Sequence, residues 1–359
     1  MQIGSRLIGP DQPPYIIAEI GVNHDGDLGR ALVLVDEAAG CKVDAVKFQV
    51  FEARRLMSRA SRLAGYQAAA GEEDPHAMLR RLELPLDKLA KCVELAHSRG
   101  LHAIATVFSL ELVPDAAALP WDAFKTASPD IIHKPLLDAL VATGRPLIVS
   151  TGASTLDEVE RALGWLRPAH GRLALLQCVS SYPTPIDDAA IEGVGALARI
   201  FPGPVGYSDH TKQANTSLRA VLMGACLLEK HFTMDKSLTG PDHAASLEPP
   251  GMRRYVSEAN RALRLRAEMP EYAGKIAALA ALGRKALLDC ERDVRTVSRQ
   301  SICTLRPLPA GHALALADIT FKRPGTGLEP FRLTQVLGRP LTRALDADVP
   351  ITHADVGLS

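Results

Sequence analysis

The stretch YIIAEIGVNHDGDLGRALVLVDEAAGCKVDAVKFQV, residues 15–50, holds the decision about the fold. It opens on a short β-rich run, YIIAEI (15–20), crosses a polar turn, continues as a helix-like stretch, LGRALVLVDEAAG, and ends on a second apolar run, AVKFQV (45–50). Strand, helix and strand in that order make a parallel βαβ unit. A doubly wound sheet would want a Gly-rich first turn of the form G-x-G-x-x-G, and the turn here, GVNHDGD (21–27), lacks it. The alternation recurs through HAIAT (102–106), AFKTA (123–127), LIVST (147–151), LALLQC (173–178), VGYSD (205–209) and LLEKHF (227–232), with helical stretches between them. Several of these stretches carry boundary signals: Ser154 or Thr155 ahead of Asp157 and Glu158, and Gly100 and Gly144 at helix ends. The pattern predicts an α/β chain whose residues 1–266 form a (β/α)8 TIM barrel.

Beyond residue 266 the composition changes. Residues 267–293 read as a linker with one or two helical pieces, and residues 294–359 as a small β-rich domain punctuated by Pro and Gly. Across the 359 residues, 41 Lys+Arg balance 41 Asp+Glu, so there is no broad positive field for nucleic acid or an anionic membrane. An anionic ligand must then be held by a few placed cations. The six cysteines include no C-x-x-C pair and read as thiols in a reducing compartment. The start, MQIGSRLIGP, lacks a basic region followed by an apolar core, and no uncharged apolar run approaches ~18 residues. The expectation is a soluble, cytoplasmic protein.

In such a barrel the active site lies at the C-terminal ends of the strands. Polar residues stand there throughout: Glu19 on strand one, Lys47 and Gln49 on two, Thr106 on three, Lys125 and then Ser128 on four. Ser150 and Thr151 close strand five, Gln177 six, Ser208, Asp209 and His210 seven, Glu229 and His231 eight. A lone lysine in an apolar strand can be a snorkelling edge residue. Two of them, with Ser and Thr hydroxyls beside them, suit a compact oxyanion such as phosphate or carboxylate. His210 and His231 lie one βα unit apart, each flanked by a carboxylate in SDH and EKH. They suit a divalent ion, Mn²⁺ first, with Mg²⁺, Co²⁺ or Zn²⁺ as substitutes; a hydrogen-bonded pair of core histidines is the plain alternative. His24 in NHDG and His243 beside Asp242 read equally well as loop-bracing residues.

The runs IIAEIGVNHDGD, AVKFQ, LIVSTGAS, SSYPTP, GYSDHT, LEKHFT, GPDHAASLEP and FKRPGTG, in that order, make the chain resemble the sialic acid synthase family over residues 3 to 356. The closing segment is similar to the antifreeze-like (SAF) domain of those enzymes. The resemblance implies a carbon–carbon bond-forming transferase that condenses phosphoenolpyruvate with an N-acetylated amino sugar. Its products would be a nine-carbon 2-keto acid and phosphate, and it would work as a domain-swapped homodimer with a divalent metal. It implies that Lys47, Thr106, Lys125, Ser128, Ser150 and Ser208 hold phosphoenolpyruvate, that His210 and His231 ligate the metal, and that Glu19 stands beside the metal and its water. Asp209 joins Glu19, Lys47 and Lys125 in the expected catalytic set. Gln49, Tyr182, Glu229 and Asp242 would contact or neighbour the sugar, and Arg323 in KRPGTG would reach the N-acetyl group bound to the other subunit.

Two departures bear on the sugar. Many relatives carry Ser-Gly-Glu after the strand-four lysine, where this chain has Ser128-Pro129-Asp130; Asp130 is then the expected carboxylate on the sugar hydroxyls, but proline fixes φ and removes an N–H, and Asp is one methylene shorter than Glu. Arg299 stands near a place where some relatives have an aromatic residue against the acetyl group. N-acetylmannosamine and a 2,4-diacetamido-6-deoxymannose both stay open as acceptors. Three other readings compete. They are a barrel making an eight- or seven-carbon keto acid, which would lack the terminal domain; a Schiff-base pyruvate aldolase using Lys125 or Lys47; and a non-catalytic sugar-binding protein.

Overall fold

The computed structural model describes residues 1–358; Ser359, the last residue of the expected terminal domain, lies outside the described residues. Eight parallel strands close into a barrel: β1 (Tyr15–Glu19), β2 (Ala45–Val50), β3 (His102–Val107), β4 (Ala123–Thr126), β5 (Leu147–Ser150), β6 (Leu173–Cys178), β7 (Val205–Asp209) and β8 (Leu227–His231). The strands run in chain order, and β8 pairs with β1, placing His231 opposite Glu19. The expected runs match these strands to within a residue at either end.

The helices that matter below are α1 (Leu28–Gly40), α2 (Pro75–Leu82), α3 (Leu86–Ser98), α4 (Leu156–Trp165), α5 (Gly193–Ile200), α6 (Pro249–Glu268), α7 (Pro270–Ala281) and α8 (Arg292–Ser298). Thr155 caps α4 in a reciprocal box with Glu158: the Thr155 N–H donates to the Glu158 carboxylate at 3.0 Å, and the Glu158 N–H to Thr155 Oγ1 at 3.4 Å. Gly100 and Gly144 follow their helices with φ of +75°, as helix-closing glycines do.

Strand pleating explains where the site sits. Successive side chains face opposite ways, so each strand sends one set inward and the other toward the helices. The outward set, including Ile16, Val46, Ala103, Phe124 and Leu175, packs with Leu34, Leu89, Leu136 and Leu197 into one large apolar layer. Low in the barrel the inward set is apolar too: Ile17, Ala45, Ile104, Ala123, Ile148, Ala174 and Leu227. One step higher the inward positions become Glu19, Lys47, Thr106, Lys125, Ser150, Ser208 and Glu229, all buried. Ile3 and Ile8, from a short hairpin that precedes β1, join the lower apolar cluster. That hairpin has only two-residue strands, too short for a periodic signal in the sequence.

After α6 the chain stays on its own barrel. The α7 helix packs against α5, and Gly195 is the residue that permits it: a Cβ there would lie 1.9 Å from the Ala280 carbonyl oxygen. Arg199 caps the end of α7, donating to the carbonyls of Ala281 at 2.7 Å and Gly283 at 2.6 Å. The terminal domain pairs β9 (Ser301–Thr304) antiparallel with β10 (Ile319–Lys322) and has its own core around Ile302, Phe321, Leu328, Val336 and Ile351. Residues 294–298, read from the sequence as the start of this domain, belong to α8. No helix among the described residues is long and apolar enough to cross a membrane.

Candidate active site

The polar mouth of the barrel opens into a concave cavity. Glu19, Lys47, Gln49, Thr106, Lys125, Ser128, Ser150, Tyr182, Ser208, His210, Glu229, His231, Asp242 and Arg323 all line it. Strand register brings the charged groups together. Lys47 forms an ion pair with Glu19, its neighbour across β1 and β2, and donates to Thr106 Oγ1 at 3.0 Å. Lys125 donates to Ser150 Oγ at 2.6 Å and to the Thr126 carbonyl at 3.1 Å. Glu229 lies between the two ammonium groups, 3.5 Å from Lys125 and 3.9 Å from Lys47, and accepts from Ser208 at 2.9 Å. Burial alone would raise the Glu229 carboxyl, but Lys125 and Lys47 outweigh it and hold it below the usual carboxylate range. Burial pulls Lys47 below the usual lysine range, with Glu229 working against it.

Beside this cluster, Ser128 Oγ accepts from the Gly152 N–H at 3.0 Å and touches Cys178 Sγ at 3.0 Å. Two ammonium groups and the hydroxyls of Thr106, Ser128, Ser150 and Ser208 therefore meet in one cavity, a donor set matched to a small oxyanion.

The histidines line the same cavity from the ends of β7 and β8. The rings of His210 and His231 lie 5.4 Å apart, and Tyr182 packs on His210 at 4.2 Å. His210 Nδ1 lies 2.6 Å from the Val179 carbonyl, so Nδ1 carries the proton and Nε2 keeps its lone pair, 3.4 Å from Ser208 Oγ. Burial pushes His210 down to about 4, which makes its imidazole neutral at pH 7. His231 Nδ1 has no hydrogen-bond partner and sits 3.4 Å from Asp242. Among the described residues no three His, Cys, Asp or Glu side chains are arranged to enclose a metal. The fit is to an ion held by two imidazole nitrogens, with its other positions open to water or substrate oxygens. Glu229 Oε2, which accepts no hydrogen bond, stands in the same cavity 3.9 Å from Lys47 Nζ.

Two expected site residues lie elsewhere. Asp209 points away from the cavity, because Ser208 and His210 take the inward positions and pleating sends Asp209 outward. It is fully buried behind the barrel, paired with Lys230 at 3.0 Å and accepting from Thr211 and Thr216, so its role is to brace β7 against β8. Gln177 is outward for the same reason and donates to the Ala190 carbonyl; Cys178 takes the inward position. Asp130 is buried beside the cavity rather than in its lining, 3.3 Å from Gln300, with one carboxylate oxygen unpartnered. Burial raises it to about 7, against the pull of Arg323. Arg299 also faces away from the cavity, donating to both Glu158 oxygens at 2.7 and 2.9 Å. His24 and His243 brace loops: His24 Nδ1 accepts from Gly26 N, and His243 contacts Thr233 and Asp25.

Arg323 reaches the cavity from the terminal domain of the same chain. Its backbone joins the barrel loop at Leu56 and Ser58 through hydrogen bonds of 2.9 and 3.1 Å, and its guanidinium lies 5.6 Å over the Phe108 ring. The linker that leads to this domain also packs on the barrel. Glu291, fully buried in that linker, accepts from Ala153 N at 2.6 Å and Ser180 N at 2.8 Å, fastening it to the β5 and β6 loops. Lys285, also in the linker, is buried with no hydrogen bond or ion pair among the described residues. Its sequence context, an alanine-rich helix end, carried no sign of this. Nor did the sequence reveal Phe51, Tyr66, Gln67, Met78 and Leu79, which line the cavity from the long connection between β2 and α3.

Comparison with known proteins fits this geometry. Residues 34–269 match the NeuB family and residues 299–357 the SAF domain. The chain is 36% identical over 351 residues to a N,N'-diacetyllegionaminic acid synthase of Legionella pneumophila, covering 96% of this chain and 95% of that one. Among solved structures it resembles the spore coat polysaccharide biosynthesis protein SpsE of Bacillus subtilis, with a TM-score of 0.84, 31% identity, and 100% of this chain and 99% of that chain covered. It also resembles an N-acetylneuraminic acid (sialic acid) synthetase of Leptospira borgpetersenii, with a TM-score of 0.66, 30% identity, and 76% of this chain and 96% of that chain covered.

Proposed function

The chain belongs to the NeuB family, and from that premise we propose that it is a nonulosonic acid synthase, condensing phosphoenolpyruvate with an N-acetylated amino sugar. The observation that carries the reading is the convergence of Lys47, Lys125 and four hydroxyls on one cavity that His210 and His231 also line. The acceptor is N-acetylmannosamine or a 2,4-diacetamido-6-deoxymannose, and the product a nine-carbon 2-keto acid.

Lys47, Lys125, Thr106, Ser128, Ser150 and Ser208 bind the phosphate and carboxylate of phosphoenolpyruvate, fixing its C3 toward the sugar aldehyde. His210 and His231 would hold a divalent cation, Mn²⁺ first, with Mg²⁺ or Co²⁺ as substitutes, which supplies Lewis acidity to that aldehyde when bound. Attack by C3 forms the new carbon–carbon bond and leaves cationic character at C2, which the Glu229 and Glu19 carboxylates favour. Glu19 takes a proton from the water that adds to C2, and the tetrahedral intermediate expels phosphate by cleavage of its C–O bond. Gln49, Tyr182 and Asp242 orient the sugar, and Arg323 donates to its N-acetyl carbonyl. The resemblance implies a domain-swapped homodimer, in which Arg323 of one chain would serve the site of the other.

A Schiff-base aldolase is disfavoured by the state of Lys125, whose amine is engaged by Ser150, Thr126 and Glu229 rather than free to attack a carbonyl. Incubation with phosphoenolpyruvate, Mn²⁺ and a panel of amino sugars should release inorganic phosphate only with a sugar present, and give a product of the mass of a nine-carbon keto acid. Sugar-independent phosphate release, or a product of unchanged sugar mass, would overturn the proposal.

A further inference from the structure

On the side of the barrel that faces the helices, an ion pair joins the two strands whose ends carry the imidazoles. Asp209 and Lys230 are register partners on β7 and β8, each one residue before a histidine. Pleating turns both away from the cavity that His210 and His231 line. Their side chains are fully buried, with Lys230 Nζ 3.0 Å from the Asp209 carboxylate. Taking two charges out of water is costly, and well-packed apolar residues in their place are often as stable or more so. Stability alone therefore does not account for the pair.

What the pair holds is the backbone beside His210. Asp209 Oδ1 accepts from the Thr211 N–H at 2.9 Å and from Thr211 Oγ1 at 2.8 Å, closing a turn with His210 at its centre. Lys230 Nζ donates to the Thr211 carbonyl. The residue after His210 is thus gripped at its N–H by one partner of the pair and at its C=O by the other. Thr216 Oγ1 donates to the second Asp209 oxygen, and the Lys230 ammonium lies 5.8 Å from the centre of the Tyr255 ring. His210 itself is held at Nδ1 by the Val179 carbonyl, and its own carbonyl accepts from the Thr184 N–H at 2.9 Å. The His231 ring is held less directly. Its Nδ1 has no hydrogen-bond partner, and its backbone follows β8, which the pair ties to β7.

We propose that Asp209 and Lys230 are positioning residues for the cation site. By tying Thr211 and the ends of β7 and β8 together they set the separation of the two imidazoles, and with it the affinity for a divalent cation, without touching cation or substrate. This rests on the reading above that His210 and His231 hold that cation. The test measures Mn²⁺ binding to the full chain without substrates, from the electron paramagnetic resonance signal of the free ion, and KM for phosphoenolpyruvate separately at saturating Mn²⁺. Asp209→Asn and Lys230→Met should each raise the Mn²⁺ dissociation constant by about 10- to 100-fold, the scale on which groups that orient metal-binding imidazoles act. KM for phosphoenolpyruvate should stay nearly unchanged. Each single change leaves a buried charge without its partner, so the double variant Asp209→Asn/Lys230→Met separates position from stability. It should melt closer to the wild type than either single variant and still bind Mn²⁺ weakly. Thr216→Val removes one donor to Asp209, keeps both charges and should weaken Mn²⁺ by about 3-fold. Wild-type Mn²⁺ affinity in the double variant, or in Thr216→Val where the charge variants do not fold, would reduce the pair to a structural brace and overturn the proposal. Wild-type protein that binds no Mn²⁺, or His210→Ala that binds it equally well, would instead remove the cation site on which the proposal rests.

Discussion

Arg323 shows how much a single residue contributes. Its Nε–H has no partner, its ring neighbour Phe108 offers only a π face, and Asp130 nearby is shifted toward its neutral form. The guanidinium is therefore available to a carbonyl. A hydrogen bond from a charged donor contributes roughly 1.5–3 kcal/mol, so Arg323→Ala should lower kcat/KM for the sugar by about 10- to 100-fold. Steady-state kinetics should show KM for phosphoenolpyruvate nearly unchanged; a comparable loss toward phosphoenolpyruvate would place the arginine in the wrong half of the site. The histidines make a sharper prediction. His210→Ala and His231→Ala should each abolish metal-dependent turnover while circular dichroism stays native, whereas full activity in chelator-treated protein, unaltered by Mn²⁺, would remove the metal from the reaction. Which polar residues face the cavity was legible where the two-residue period could be phased on Lys47, Lys125 and Ser208. It misled at Asp209, because a motif such as SDH names three neighbours although the pleat admits only the first and third.

At the scale of elements, α4 joins two structures through one carboxylate. Glu158 closes the helix's own capping box and receives hydrogen bonds from Arg295 on α8 and from Arg299. Burial alone would raise its carboxyl, but the bonds from Arg299 and Arg295 hold it well below its ordinary 4.5. A depressed folded-state value stabilises the protein fully above the unfolded value and loses that contribution as pH falls below it. The melting temperature of the wild type should therefore exceed that of Glu158→Gln by the most above about pH 4.5, and the gap should shrink as pH drops further. A gap independent of pH would mean that the contact is steric rather than ionic. The capping box itself was readable from Thr155 and Glu158. Its second use was not, since the two arginines lie more than 130 residues further along the chain.

The whole molecule folds a linker and a terminal domain back over the barrel that precedes them. Gly195 and Arg199 dock α7, Glu291 clamps the β5 and β6 loops, and Arg323 follows into the cavity. Eight strands and their order could be read from alternation and turn residues. The return path could not, because it depends on close backbone approaches at Gly195 and Gly283 that have no periodic signature. If each chain completes its own site, mixing Lys125→Ala with Arg323→Ala after verified subunit exchange should give no more activity than the two variants separately. Recovery toward the wild type would mean that terminal domains are traded between subunits.

The central claim, that phosphoenolpyruvate is joined to a sugar through carbon with loss of phosphate, is tested most directly by the fate of one oxygen. With ¹⁸O at the bridging position of phosphoenolpyruvate, and enzyme, Mn²⁺ and the amino sugar present, mass analysis should find the label in the released phosphate, because the C–O bond breaks. Label retained in the keto acid would show P–O cleavage and contradict the account, and an aldolase would contradict it sooner by releasing no phosphate at all.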